Sequence, residues 1–445
     1  MANNNIAAIS TGLVASGVAV IRISGESPLD IAEKMFKPVG KTRVRDFEPN
    51  KMYAGEILAQ NFTDFGMCVY FKAPKSFTGE DTVEFHSHGG IAITRGILSK
   101  ILSLGVRLAN NGEFTKRAFL NGKLSLSSAE GLIDMINSES ESGVKAGYYL
   151  YRENLLKKVN GIQDRLTDSL SQIDVDMDFP EEDIEVTAIP KIKSDLEFSI
   201  QEIEQLLKTY KTGRVLKNGV NVGIVGKPNT GKSSTLNALL NYEKAIVSSV
   251  AGTTRDIIEG CIDIHGVRFN FSDTAGIRET EDCIEKVGVN LSKKVLNQSD
   301  LVLFIADSQS FDAQDEQILN SLKDKNLVFV LNKTDLSDYK RNDVDVYISA
   351  LNKTNIDKLR ETIYQRTIGS GIDLNGDFLC EERHYNALLS AKQKLQSALG
   401  CIESVTLDLL AIDVKDAWDS LGEISGKTAT EEIINNIFSK FCVGK

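Results

Sequence analysis

The sequence predicts a multidomain protein of α+β and α/β type: an N-terminal α+β domain, a helical domain, and a doubly wound α/β domain inserted into the helical one. Three observations predict it. Short β-branched and aromatic runs crowd the N-terminal part. Long helical periodicity flanks the middle of the chain on both sides. Between the flanks, apolar runs without alternation, the mark of buried parallel strands, are spaced by helix-like segments. With 445 residues the chain is long enough for two or three cores.

The first domain is expected over 1–120. Its strands are "VAVIRIS" (18–24), "GMCVYF" (66–71) and "DTVEFH" (81–86), separated by turn residues. "AITRGILSKILSLG" (92–105) has helical apolar spacing and ends on Gly105, a C-cap residue. The helical domain starts over 121–217. There Leu196, Ile200, Ile203 and Leu207 recur at the spacing of one buried helix face, and "DFPEEDI" (178–184) interrupts the pattern because Pro180 cannot continue a helix interior. In 218–370, "VNVGIVG", "LVLFIAD" (301–307) and "LVFVLNK" (327–333) read as parallel strands, and "CIDIHGVRFNFSD" as an antiparallel pair turning at His265-Gly266. Residues 371–445 are helical again, clearest in "AKQKLQSALGCIESV". One helical domain split by the insertion, or two separate bundles, fits that pattern.

Composition narrows the function. Hydrophobic residues are 42% and charged residues 25%, ordinary for a globular protein. A net charge of -11 excludes a generic polyanion binder, so any grip on RNA needs a local basic patch or a partner. No apolar run has the length of a membrane span, and "MANNNIAAIS" has neither a basic signal region nor an Arg-rich transit helix. Cysteines 68, 261, 283, 380, 401 and 442 form no C-x-x-C pair. They read as reduced thiols, and a cytoplasmic location is expected.

The central domain carries the chemistry. "GKPNTGKSS" (226–234) follows a predicted strand and opens a helix. Its glycines let the backbone N–H groups of Asn229, Thr230, Gly231, Lys232, Ser233 and Ser234 turn toward phosphate oxygens at a helix N-terminus. Lys232 can reach the outer phosphates and Ser233 can offer its hydroxyl to Mg²⁺. A glycine-rich turn with a surface lysine would carry this motif alone, but three later pieces stand in GTPase order. "AGTTRD" supplies Thr254 to complete the Mg²⁺ shell. "DTAG" supplies Asp273, Thr274, Ala275 and Gly276, with Asp273 behind the metal and the Gly276 N–H near the third phosphate. "NKTD" supplies Asn332, Lys333 and Asp335, whose carboxylate can accept the N1–H and exocyclic amine that guanine presents and adenine does not. Ser349 and Ala350 of "SAL" add a backbone contact to the base oxygen. GTP binding is therefore expected. Many GTPases orient the attacking water with a glutamine after Asp-x-x-Gly; here the residue is Ile277, which cannot. From the residues alone, Glu279, Glu281 and Glu285 are equal candidates to replace it, and Asn229 could either give a carbonyl oxygen to a cation or merely stabilise its turn.

"VIRISG" (20–25), "SFTGEDTVEFHSHGG" (76–90), "GEFTKRAFLNGKLSL" (112–126), "DFPEEDI", "PNTGKSSTLNALL", "AGTTRDIIE", "DTAGIRE" and "FCVGK" (441–445) together resemble, end to end, the tRNA-modification GTPase family MnmE, also called TrmE. The resemblance implies that K⁺ replaces an arginine finger, held by Asn229, Ser248, Val250 and Thr253, and that Glu285 orients water, acting through a second one. It implies a homodimer whose N-terminal domain binds a 5-formyltetrahydrofolate-type cofactor. Motif by motif the folate residues would be Arg22, Glu84, Lys123 and Lys445: cations for the glutamate tail, a carboxylate for the pterin edge. It further implies an FAD-dependent partner, MnmG, with which a carboxymethylaminomethyl- or aminomethyl-type group is added to C5 of the wobble uridine of certain tRNAs. The chain departs from the family in "STGLVASG" (10–17), where a Pro- and Gly-rich stretch with an arginine is usual, near the folate site that the resemblance implies. His86 and His88 share a strand face as metal ligands do, without a third ligand nearby, and Cys442 reads either as a reactive thiol beside Lys445 or as a packed one. Two other functions fit parts of the sequence: a ribosome-assembly or regulatory GTPase switch, which usually carries an RNA-binding module absent here, and a folate-dependent aminomethyltransferase that needs no flavoprotein.

Overall fold

The computed structural model describes residues 5–178, 185–240, 260–273, 296, 299–369 and 378–445. The chain forms two compact units. One comprises Met1–Ile133, Leu150–Ile200 and Ala387–Lys445; the other comprises Asp134–Tyr149 and Gln201–Asn386.

The first unit opens with β1 (Ile6–Ile9), β2 (Ser16–Gly25), α1 (Pro28–Met35), β3 (Phe36–Pro38), β4 (Met52–Leu58), β5 (Thr63–Phe71), β6 (Asp81–Gly89), α2 (Ile91–Ser103), β7 (Arg107–Leu108) and α3 (Glu113–Leu120). The strands make one sheet in the order β3-β4-β5-β6-β2-β1-β7, antiparallel except for β1 with β7. Period-two alternation sends Ile21, Ile23, Val83 and Phe85 into a core shared with Ile97 and Ile101 of α2. It sends Arg22 and Glu84 to the other face, where the β2–β6 register sets them directly opposite one another. Gly105 follows the end of α2 with φ +90°, as its expected capping role requires.

The helices that follow are α4 (Leu126–Asn137), α5 (Glu141–Tyr151), α6 (Asn154–Asp178), α7 (Glu185–Lys208) and α8 (Tyr210–Asn218). Along α7 the buried line is Ile192, Leu196, Ser199, Ile203 and Leu206, while Ile200 and Leu207 are only half-buried. The stripe is thus displaced to one side of the expected one. Counting apolar residues misses it because Ser199 occupies a core position, its hydroxyl satisfied by the Asp195 carbonyl at 2.7 Å.

The second unit holds β8 (Val220–Val225), α9 (Lys232–Leu240), β9 (Gly260–Ile264), β10 (Val267–Asp273), β11 (Leu301–Asp307), α10 (Ala313–Ser321), β12 (Leu327–Asn332), β13 (Val346–Tyr347) and α11 (Ile356–Thr367). The sheet order is β13-β12-β11-β8-β10-β9, parallel throughout except for β9. Every residue of β11 is buried, which explains its unbroken apolar sequence. His265 (φ 53°) and Gly266 (φ 80°) form the expected two-residue turn of the β9–β10 hairpin. Residues 134–149 pack against this hairpin: the Ser142 N–H donates to the Gly266 carbonyl at 3.1 Å, and Arg268 pairs with Glu139 at 2.8 Å.

The chain ends in α12 (Glu382–Cys401), α13 (Leu407–Ser425) and α14 (Glu431–Ser439). In the first unit Ile437, Phe438 and Phe441 share a core with Leu126, Ala129 and Ile133 of α4. No described helix is long and apolar enough to cross a membrane.

Candidate functional site

In the loop between β8 and α9 the carbonyls of Gly226, Lys227, Asn229 and Thr230 all accept hydrogen bonds from side chains. Lys232 Nζ donates to the carbonyls of Gly226 (2.9 Å) and Lys227 (2.8 Å). Thr230 Oγ1 donates to the Lys227 carbonyl at 2.9 Å. Lys333 Nζ reaches the Asn229 carbonyl at 2.8 Å, and Asn332 Nδ2 the Thr230 carbonyl at 2.9 Å. The loop leads into the N-terminus of α9, whose first N–H groups have no partner within the helix and can receive an anion. Asn229 (φ 63°) and Gly231 (φ 90°) make the left-handed turns that this path needs. Lys232 is buried, with its ammonium on the two carbonyls, whereas Ser233 and Ser234 are exposed on the first turn of α9.

The same side chains bind this loop to the end of β12. Asn332 is buried; besides its bond to Thr230, its Oδ1 accepts the Ala350 N–H at 3.0 Å. One amide thus ties together the phosphate loop, "NKTD" and "SAL". Lys333 pairs with Asp307 at 2.6 Å. Burial opposes ionisation of Asp307, but hydrogen bonds from Lys333 and the Gln309 N–H outweigh it and hold the carboxyl below its ordinary range. Thr334 anchors the turn by donating from Oγ1 to the Ile348 carbonyl at 2.9 Å, and Asp335 stays exposed.

The first unit contains a cavity of about 290 Å³ lined by Ser10, Thr11, Arg22, Phe77, Glu84 and Lys445, among others. Arg22 Nε donates to Glu84 Oε1 at 2.7 Å, and its guanidinium lies 5.2 Å from the ring centre of Phe77 and 5.6 Å from that of Phe114. His86 Nε2 lies 3.3 Å from Glu84 Oε2. Burial raises the Glu84 pKa, but His86 and Arg22 outweigh that and leave it lowered. Lys445 reaches the cavity because Val443 bridges Asn111 and Gly444 turns with φ 104° against β1.

Comparison with known proteins decides the family. A model described as "GTP-binding protein TrmE N-terminus" matches residues 5–123, and one described as "MnmE helical domain" matches 126–442. Proteins named "tRNA modification GTPase MnmE" align along the whole chain. That of Clostridioides difficile is 38% identical, covering 100% of this chain and 99% of its own. That of Desulforamulus reducens is 39% identical, covering 100% of both. That of Lactobacillus helveticus is 38% identical, covering 99% of this chain and 98% of its own. The chain belongs to the MnmE family of tRNA modification GTPases.

Within this MnmE-family chain, the structure brings Asn229, Thr230, Lys232, Asn332, Lys333 and Ala350 together through hydrogen bonds, Lys232 and Thr230 sharing the Lys227 carbonyl, and sets Gly231 against the Asn332 amide. Asp273 ends β10 beside β8. Ser248, Val250, Thr253, Thr254, Thr274, Ala275, Gly276 and Glu285 lie outside the described residues. Three of the four expected folate residues, Arg22, Glu84 and Lys445, line one cavity. Lys123 is not among its lining residues: its Nζ donates to the Pro74 carbonyl at 2.9 Å, because the turn after α3 carries it toward the loop that precedes β6. Ser10 and Thr11 of the divergent "STGLVASG" stretch do line it. His88 Nδ1 pairs with Asp64 at 2.7 Å, and among the described residues no His, Cys, Asp and Glu cluster of metal-ligating size occurs. Cys442 is exposed and is not a lining residue. Sequence reading missed the ion pairs of Lys227 with Asp315 (2.7 Å) and Asp312 (2.9 Å). The one local signal was the Asp-x-x-Asp of a helix start, which predicts a capping box and not its partner.

Proposed function

We propose that the second unit binds Mg·GTP and hydrolyses it in tRNA modification, the activity printed in the names of the relatives. The observation that carries this is the Asn332 amide, which joins the phosphate loop to the guanine-reading motif. Ser233, with Thr254, would hold Mg²⁺; Asp335 would read guanine.

The finer reading follows the family. K⁺ would bind at Asn229, Ser248, Val250 and Thr253, offsetting charge that develops between the outer phosphates, and Glu285 would order water where Ile277 cannot. This reading follows from the family resemblance at Asn229, whose backbone carbonyl accepts from Lys333 Nζ. The first unit would hold a 5-formyltetrahydrofolate-type cofactor, which supplies a one-carbon unit. Two cations, Arg22 and Lys445, and one carboxylate, Glu84, around a single cavity suit a ligand with anionic and amide ends. Lys123, held on the Pro74 carbonyl, would meet the ligand from outside this cavity. The chain would act as a cytoplasmic homodimer with MnmG on C5 of the wobble uridine. The TrmE N-terminal match and the cavity favour this over an assembly switch.

The test is GTP turnover in KCl against NaCl at equal ionic strength, with Asn229→Ala in parallel. Stimulation of about tenfold or more by K⁺, lost in the variant, is expected; equal rates in both salts would remove K⁺ from the mechanism.

A further inference from the structure

Lys227 is the residue after the first glycine of the phosphate motif, where the motif itself makes no demand on the side chain. Its ammonium lies between the carboxylates of Asp312 and Asp315, the two residues of the capping box that starts α10. Asp315 is fully buried. Its Oδ2 accepts both Lys227 Nζ at 2.7 Å and the Asp312 N–H at 3.1 Å. Capping explains a polar residue at Asp315 but not a cation arriving from another loop. The carbonyl of Lys227, meanwhile, is the acceptor for both Lys232 Nζ and Thr230 Oγ1. The residue that holds the phosphate lysine is thus itself held by a buried carboxylate.

The segment from Asp307 to Asp315 grips the loop a second time. Asp307 pairs with Lys333, and Lys333 Nζ binds the Asn229 carbonyl. Residues 227 and 229 are therefore braced from the same segment, one directly and one through the guanine motif. An exposed ion pair would contribute little, but a pair with a buried member leaves an uncompensated charge when broken.

We propose that Lys227 and Asp315 are positioning residues for nucleotide binding: their ion pair sets the place of the Lys227 carbonyl and, through it, of the Lys232 ammonium that meets the outer phosphates. The inference rests on the GTPase reading of the second unit.

The test is the affinity of the full chain for a fluorescent GDP analogue, with kcat and KM for GTP, in wild type, Lys227→Met and Lys227→Arg. Lys227→Met is expected to weaken GDP binding and raise KM by about tenfold, with kcat changed less than about twofold and preference for GTP over ATP retained. Lys227→Arg should restore most of the affinity. Should Lys227→Met not fold, Asp315→Leu in a background of Asp312→Asn, which removes both partners of the ammonium, should give the same loss, and unchanged Kd and KM in that variant would overturn the proposal. A lowered Tm with unchanged Kd and KM would overturn the proposal and leave the pair as a stabiliser only. Failure of wild type to bind GDP would instead overturn the GTPase reading itself.

Discussion

At the residue scale, Gly231 and Asn332 are where the phosphate loop meets the "NKTD" and "SAL" segments. A Cβ on Gly231 would lie 2.2 Å from Asn332 Nδ2, and its φ of 90° disfavours any side chain. Gly231→Ala must therefore push Asn332 off the Thr230 and Ala350 backbone. The expected result is GDP affinity at least about tenfold lower, read by titration, with Tm lowered as well. Intact affinity would mean that the Asn332 tie is dispensable. The motif spelled out both residues in the sequence; that the Asn332 amide also ties the Thr230 and Ala350 backbone was not legible there, because packing decides which partners a buried amide finds.

At the element scale, the tail after α14 is held by backbone geometry. Val443 bridges Asn111, and a Cβ on Gly444 would lie 2.2 Å from the carbonyl of Ile9, at φ 104°. Gly444→Ala is expected to displace Lys445 from its cavity, weakening binding of a 5-formyltetrahydrofolate by about tenfold while leaving GDP affinity unchanged. Isothermal titration with both ligands on one preparation checks this, and equal folate affinity would remove the tail from the site. The strands β2 and β6 were legible from their β-branched and aromatic runs, and the period of two in the observed strands places Arg22 and Glu84 on one face. Their pairing was not legible, since register between strands some 60 residues apart is set by the whole sheet.

For the whole molecule, one ion cluster joins parts of the second unit that are distant in sequence. Lys217 of α8 pairs with Asp134 of α4 at 2.8 Å and with Glu381, just before α12. Burial and then the neighbouring Glu381 push the Asp134 carboxyl up to about 8, from an ordinary 3.8. Burial disfavours the Lys217 charge, but Glu381 first and then Asp134 outweigh it and hold its pKa up. With one cation between two acids, Asp134 keeps a proton in the folded state that it loses in the unfolded one. Its contribution to stability is therefore full below about pH 4 and declines as pH rises to about 8. Asp134→Asn, which mimics the protonated acid, should flatten the fall of Tm over that window and leave the variant more stable than wild type at pH 8. A wild-type profile unchanged by the substitution would show that Asp134 titrates normally.

The sequence by itself determined the kinds of domain, the hairpin at His265-Gly266, the nucleotide motifs and the family resemblance. These rest on local spacing, on backbone conformations open to few residue types, and on short motifs whose chemistry is complete within a few residues. Only the tertiary structure decided that Lys445 shares a cavity with Arg22 and Glu84 while Lys123 does not. It alone placed Lys227 on Asp315 and Lys217 between Asp134 and Glu381. Such pairs are chosen by packing: once the core sets the elements, a buried charge takes whichever opposite charge is brought within reach, and no local pattern encodes which one that is.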